Sequence, residues 1–224
     1  MSFAALFAST SLLDQHYQPQ GLLSLSDQAI EFIIFRADKQ NIPLCLGLAR
    51  LPAHGIKNGF ISDLKLCSQG IMAAVSQAEE MAGTTIKKTT VIFSGPPPAV
   101  LLLRQQLFLH GTRIEKKHLH QLEAKFWPPH RPRLHGHYYM TQAIPYECRL
   151  DASPPIDNPL GMVGERLSLT SALVYEEVHA LETLYNLLQR SKLSPAYIID
   201  RALAAALGML SVEEQQQGAL ALHL

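Results

Sequence analysis

Six of the ten histidines fall between Ala99 and Thr170, together with the one tryptophan. Imidazole is the side chain most often used to hold a metal or to move a proton near neutral pH. In "HLH" (118–120) the surrounding pattern predicts a helix, on which residues two apart point about 200° from each other, so His118 and His120 do not share an ion. In "HGH" (135–137), at the entrance to a predicted strand, both rings can lie on one face. No cysteine or carboxylate is spaced to complete a tetrahedral set there, so no metal site is expected and the rings are read as solvated or hydrogen-bonding. A nucleophile is equally hard to find: there is no G-x-S-x-G elbow, no phosphate loop with a lysine, no H-E-x-x-H and no G-x-G-x-x-G. Asp27 and Asp200 are candidate metal-binding carboxylates, but Asp200 also stands where it would cap a helix beginning at Arg201.

A third group is electrostatic. Arg104, Arg113, Lys116, Lys117, Lys125, Arg131 and Arg133 outnumber Glu115 and Glu123 over the same stretch. That excess suits an acidic protein surface, and it also suits an ordinary solvated helix face and loop. Nucleic acid is disfavoured, since 19 basic residues balance 19 acidic ones over the chain and no aromatic-basic platform is present.

The elements that must position these groups belong to a globular chain, with 47% hydrophobic and 17% charged residues over 224 positions. Cys45, Cys67 and Cys148 are odd in number and far apart, as expected of reduced thiols in a cytosolic protein. "MSFAALFASTSLLDQ" has no basic leader and falls short of the roughly 20 apolar residues of a membrane span. No signal peptide and no transmembrane helix are expected.

Three β-type runs at 21–26, 29–37 and 42–49 predict an antiparallel meander. Leu64, Cys67, Ile71, Val75 and Ala78 then recur at helical spacing, predicting a helix over 62–82 with Ser62 as N-cap and Gly83 as stop. A strand at 89–95 runs into "PPP" (96–98), which ends it. Beyond lie a strand (99–109), a short helix with Leu119, Leu122 and Phe126 inward, a loop "WPPHRPR", and strands at 137–150 and 166–174. Between those two strands stands "IDNPLGMVGERL" (156–167), a turn in which Pro159 fixes φ while Gly161 and Gly164 allow positive φ. The remainder reads as a helix with Val178, Leu181, Leu184 and Leu188 on one face, a strand "AYII", an Ala-rich helix from Arg201 to about Leu210, a polar turn "EEQQQ" and a last strand "GALALHL". Without 96–171 this is a five-stranded mixed sheet flanked by helices.

Five strings, in order, carry a resemblance: "LPAHGIKNGFISDLKLCSQGIMAAVSQAEEMAG" (51–83), "VIFSG" (91–95), "HYYMTQAIPYECRLD" (137–151), "IDNPLGMVGERL" (156–167) and "ALALHL" (219–224). They resemble the FtsA family of bacterial cell-division proteins, the fourth being similar to that family's "NPxGMxGxRL". The resemblance implies an α/β, actin-like (ribonuclease-H-like) fold. Residues 1–95 and 172–224 would form the actin-like first subdomain, and 96–171 an inserted small α+β interaction subdomain.

The resemblance also exposes departures. Where the family carries a phosphate loop "D-x-G-(T/S)-(S/A)-K", this chain reads Ser24, Leu25, Ser26, Asp27, Gln28 and Ala29, without the glycine or the lysine. Where a second phosphate motif has aspartate, this chain has His223. A phosphate loop needs glycine for close backbone approach and a cation to balance charge, whereas Asp27 would repel an anion. The expectation is therefore a chain that binds no nucleotide, catalyses nothing and lacks the family's adenine-binding half, FtsZ-binding subdomain and amphipathic anchor. It would be a cytoplasmic adaptor at the inner membrane face of the division site, contacting other division proteins or its own copies through Arg104, Arg113, Lys116, Lys117, Arg131 and Arg133. Two alternatives stay open: an ATP- and magnesium-binding actin-like protein completed by a separate half, and an adaptor of the PilM type used in pilus assembly.

Overall fold

The computed structural model describes residues 18–40, 42–127, 133–134, 136–217, 219 and 221. In chain order the elements are β1 (Gln20–Leu25), β2 (Ala29–Ala37), β3 (Pro43–Pro52), β4 (Ile56–Lys57), β5 (Phe60–Ile61), α1 (Leu64–Ala82), β6 (Lys88–Phe93) and β7 (Ala99–Phe108). There follow α2 (Lys116–Ala124), β8 (Arg133–Leu134), β9 (Tyr138–Leu150), β10 (Arg166–Glu177), α3 (Val178–Arg190), β11 (Ser194–Asp200), α4 (Arg201–Met209) and α5 (Val212–Gln217). The chain forms two compact units, one running up to Pro97 and resuming at Glu177, the other spanning Pro98–Glu176.

The first unit is a five-stranded mixed sheet in the order β11-β6-β1-β2-β3. β1, β2 and β3 pair antiparallel as neighbours, while β6 runs parallel to β1 and β11 parallel to β6. Parallel neighbours need a crossover, and α1 and α3 supply the helical part of each. Both are amphipathic, so their buried faces close the core: α1 contributes Cys67, Ile71, Ala74 and Ala78, and α3 contributes Leu184, Leu187 and Leu188. Against them lie Leu23, Leu25, Ile30, Phe32, Ile34 and Val91 from the strands. Full burial of each such side chain is worth about 2 kcal/mol relative to exposure.

The start of α1 is set by Asp63, not Ser62: its Oδ1 accepts from Lys65 N at 2.8 Å and Leu66 N at 2.9 Å. Asp outcompetes Ser here because the 55–63 hairpin fixes the entry, with Ser62 N and Asp63 N both donating to the Gly55 carbonyl. That hairpin, β4 and β5 joined through Asn58 (φ 51°) and Gly59 (φ 75°), is an addition to the expected elements. Its signal was the Asn-Gly pair, whose two residues tolerate the positive φ that a tight hairpin turn requires. α1 ends at Gly83 in the left-handed region, as its sequence predicts.

One further expectation is corrected. "EEQQQ" is not a turn but lies in α5, which opens with a reciprocal cap: Ser211 N donates to Glu214 Oε2 at 2.8 Å, and Glu214 N to Ser211 Oγ at 3.2 Å. The string S-V-E-E carries that capping box. The strand expected over 218–224 falls almost entirely outside the described residues.

The second unit is a four-stranded sheet in the order β7-β10-β9-β8 with α2 on one face. Alternation sends Leu167, Leu169, Leu173 and Tyr175 of β10 to the same core as Leu119, Leu122 and Phe126. This core is separate from that of the first unit.

Candidate functional site

In an open α/β sheet the ligand-binding crevice lies beyond the carboxyl ends of the parallel strands. Here those ends are Leu25 of β1, Phe93 of β6 and Asp200 of β11. The turn after β1 is the stretch that matches the family's phosphate loop, and its polar groups are turned on one another. Ser26 Oγ donates to the Ala29 carbonyl at 3.0 Å and accepts from Ala29 N at 3.1 Å, while Ser26 N donates to the same carbonyl. Asp27 Oδ1 accepts from Gly59 N at 2.8 Å, tying the turn to the β4–β5 hairpin. Gln28 offers its carbonyl to Ala53 N at 3.1 Å.

A residue absent from the expected site completes the arrangement. Asp200 caps α4, accepting from Leu203 N at 3.0 Å, and this places Arg201 over the end of β1. The Arg201 Nη2 donates to Ser24 Oγ at 2.9 Å and to the Leu25 carbonyl at 3.4 Å, and its Nε is buried without a partner. The crevice end of β1 thus carries a guanidinium braced on a hydroxyl and a carbonyl. The signal lay in "IIDR", where a cation directly follows a helix cap at a strand's carboxyl end. His223, the other degenerate phosphate position, lies outside the described residues.

Nearby in the same unit is a cleft of about 210 Å³. Gly59, Phe60, Ile61, Phe93 and Pro96 line it on one side, and Glu177, His179, Ala180 and Thr183 on the other. Its volume is under the roughly 300 Å³ at which small-molecule sites usually begin. His179 Nδ1 pairs with exposed Glu182 at 3.7 Å, and no hydroxyl or thiol is hydrogen-bonded to it. Among the described residues, no three His, Cys, Asp or Glu side chains converge on a point. His118 instead closes a capping box, its Nδ1 accepting from Glu115 N at 3.1 Å.

The basic residues of the second unit are spread out and largely engaged. Arg104 on β7 reaches Thr170 Oγ1 at 3.2 Å and Glu147 Oε1 at 3.4 Å. Glu147 also takes two hydrogen bonds from Arg149, and these, with the charges of Arg149 and Arg104, hold its carboxyl below the usual carboxylate range. Arg113 donates to the Gly161 carbonyl at 3.0 Å, Lys117 pairs with Glu115 at 2.8 Å, and exposed Lys116 opens α2. Arg133 lies in β8, and Arg131 falls outside the described residues.

The "IDNPLGMVGERL" loop has a structural explanation. Asn158 Oδ1 accepts from Leu160 N, Met162 N closes a turn onto the Pro159 carbonyl, and Gly161 with φ 84° places its N–H on the Ile114 carbonyl at 2.9 Å. Gly164 leaves room for Leu150 and Asp151, whose side chains a Cβ would meet at 2.5 and 2.7 Å. Asp151 (φ 53°) then clamps the start of β10, its carboxylate accepting from Glu165 N at 3.1 Å and Arg166 N at 2.8 Å. Asp151→Ala is expected to cost about 2 kcal/mol, because it strands two amides and puts alanine in the left-handed region. Asp151→Asn should lose less, and urea-unfolding midpoints distinguish the two.

The thiols differ sharply. Burial, helped by Asp63, pushes Cys67 up to about 11, and burial, helped by Glu147, pushes Cys148 up to about 12. Both stay protonated at neutral pH, while Cys45 is exposed. A thiol-reactive dye added to the native chain should therefore label one site quickly, and Cys45→Ser should remove that phase.

No protein-family model matches the chain. Among curated proteins it is similar to cell division protein FtsA of Rhizobium meliloti, 26% identical over 195 residues, covering 84% of this chain and 43% of that protein. FtsA of Streptococcus pneumoniae is 24% identical over 209 residues, covering 90% and 44%, and FtsA of Helicobacter pylori is 31% identical over 80 residues, covering 36% and 16%. The chain spans less than half the length of these relatives. A solved structure of the PilM-PilN type IV pilus biogenesis complex matches with a TM-score of 0.53 at 16% identity, covering 84% of this chain and 49% of the matched one. That second likeness is one of fold, and it agrees with the five-stranded mixed sheet described above. Over most of its length the chain is a distant FtsA-like protein built on the actin-like fold.

Proposed function

We propose that the chain acts as a non-catalytic adaptor in bacterial cell division, binding no nucleotide and making its protein contacts through the unit spanning Pro98–Glu176. The observation that supports this most is the state of the turn after β1. Phosphate recognition requires open backbone amides and close approach. In this turn Ser26 N is used internally, Asp27 presents a carboxylate, and Arg201 occupies the strand end. The second unit supplies the surface, with Arg113, Lys116 and Lys117 exposed and Arg104 half-neutralised by Glu147. A partner of acidic character fits it. The protein would work on the cytoplasmic side of the membrane at the division site, and no described helix is long and apolar enough to cross a membrane.

The fold likeness to a PilM-PilN complex favours one second reading, an adaptor for pilus assembly. A fluorescent fusion separates the two readings: a band at the division septum supports the first, and foci tied to pilus machinery support the second. Saturable binding of magnesium-ATP would overturn the non-catalytic part of both.

A further inference from the structure

The smaller sheet ends on an apolar strand. β7 has β10 on one side and, among the described residues, no strand on the other. Val100, Leu101, Leu102 and Leu103 are 56%, 43%, 64% and 42% exposed. Sheet edges are normally kept short, charged or covered, because their free N–H and C=O groups template pairing with another strand.

The hydrogen-bond register shows which groups are open. Leu109 N donates to the Glu165 carbonyl at 2.7 Å, continuing the antiparallel register that sets Leu107 opposite Leu167. In such a ladder, alternate residues bond to the partner strand. Odd-numbered residues of β7 therefore bond toward β10, and even-numbered ones turn their N–H and C=O outward. At the far end, Lys125 Nζ covers the outward carbonyl of Gln106. Ahead of the strand, Pro98 has no N–H to offer. The open positions are Val100, Leu102 and Arg104.

We propose that this edge is a self-association surface, on which β7 of a second copy pairs antiparallel about a two-fold axis through Leu102. Leu102 then faces its own copy and Val100 faces Arg104, so the three open residues meet only one another. No other register does this. Centring on Val100 sets Leu102 against Pro98, and centring on Arg104 opposes two guanidinium groups. With the axis at Leu102, Gln106 falls opposite Pro98, and the ladder stops on both sides where the lysine-covered carbonyl meets the residue without an N–H. The side chains agree: Leu101 lies opposite Leu103 on one face, as cross-strand pairing favours. On the other, Val100 lies against the stem of Arg104, whose guanidinium is already held by Thr170 and Glu147. A two-fold contact of identical patches is closed, so it yields a dimer and not a fibre. The inference stands on the strand alone and is independent of the division reading.

Sedimentation equilibrium on the full chain tests it. The expected result is a reversible dimer, with a dissociation constant raised at least tenfold in Leu102→Lys, which sets two like charges on the axis. Leu102→Pro should do the same by removing an outward N–H without touching the β10 ladder. Both variants should keep the wild-type circular dichroism. In a Cys45→Ser background, Leu102→Cys should oxidise to a covalent dimer, since facing hydrogen-bonded residues lie about 5.5 Å apart between Cα atoms. Phe108→Cys, exposed on the same strand, should not. A wild-type chain that stays monomeric from micromolar to hundreds of micromolar, a dimer that survives both Leu102 substitutions, or equal cross-linking at Phe108 would overturn the proposal.

Discussion

Gly47→Val should lower the stability of the first unit by about 3 kcal/mol, a large loss for an overpacking substitution. A Cβ at Gly47 would sit 2.2 Å from the Ala78 carbonyl and 3.2 Å from the Ala82 Cβ. The first of these is helix backbone, which cannot rotate away. α1 would have to lift off β3, opening the contacts of Ala74 and Ala78 with the sheet. Gly83→Ala provides the contrast. Nothing lies within 4 Å of its added Cβ, and only its φ of 63° opposes the change, so a loss of about 1 kcal/mol is expected. Urea-unfolding midpoints should rank the two in that order. Equal midpoints would mean that α1 does not press on β3 as described.

Leu122→Ala should have a comparable effect in the second unit, about 2–5 kcal/mol, as truncation of a fully buried leucine leaves a cavity. Leu122 is 0% exposed and packs in one cluster with Leu119, Phe126, Leu167 and Leu169. Hydrogen exchange locates the loss: amides of α2 and of β10 around Leu167 and Leu169 should exchange faster. Leu101→Ala, at a half-exposed position on the same sheet, should leave them nearly unchanged. If Leu122→Ala leaves that protection intact, α2 is not seated on the sheet.

Much of this fold is legible because strong periodicity coincides with clear punctuation. The α1 stripe of Cys67, Ile71 and Ala78 ends on Gly83, and α3 buries the expected Val178, Leu181, Leu184 and Leu188. What escaped was set by short-range polar geometry. The β4–β5 hairpin has two residues per strand, too few for alternation to register, and α5 depends on a capping box in a string that composition alone reads as a turn. The candidate site was legible as a loss: Ser26 and Asp27 could be seen in place of a glycine and a lysine. Arg201 was not, because its neighbour Ser24 is 177 residues away along the chain and only the β1-β6-β11 order brings them together. The basic cluster shows the opposite limit. Sequence counts charges, but Arg104, Arg113 and Lys117 are each committed to a nearby acceptor that only the fold supplies.

The central claim is that the turn after β1 no longer receives phosphate. Isothermal titration of the full chain with ATP, with and without magnesium, tests it most directly. The account predicts no saturable heat at millimolar nucleotide in either condition, and micromolar, magnesium-dependent binding would contradict it.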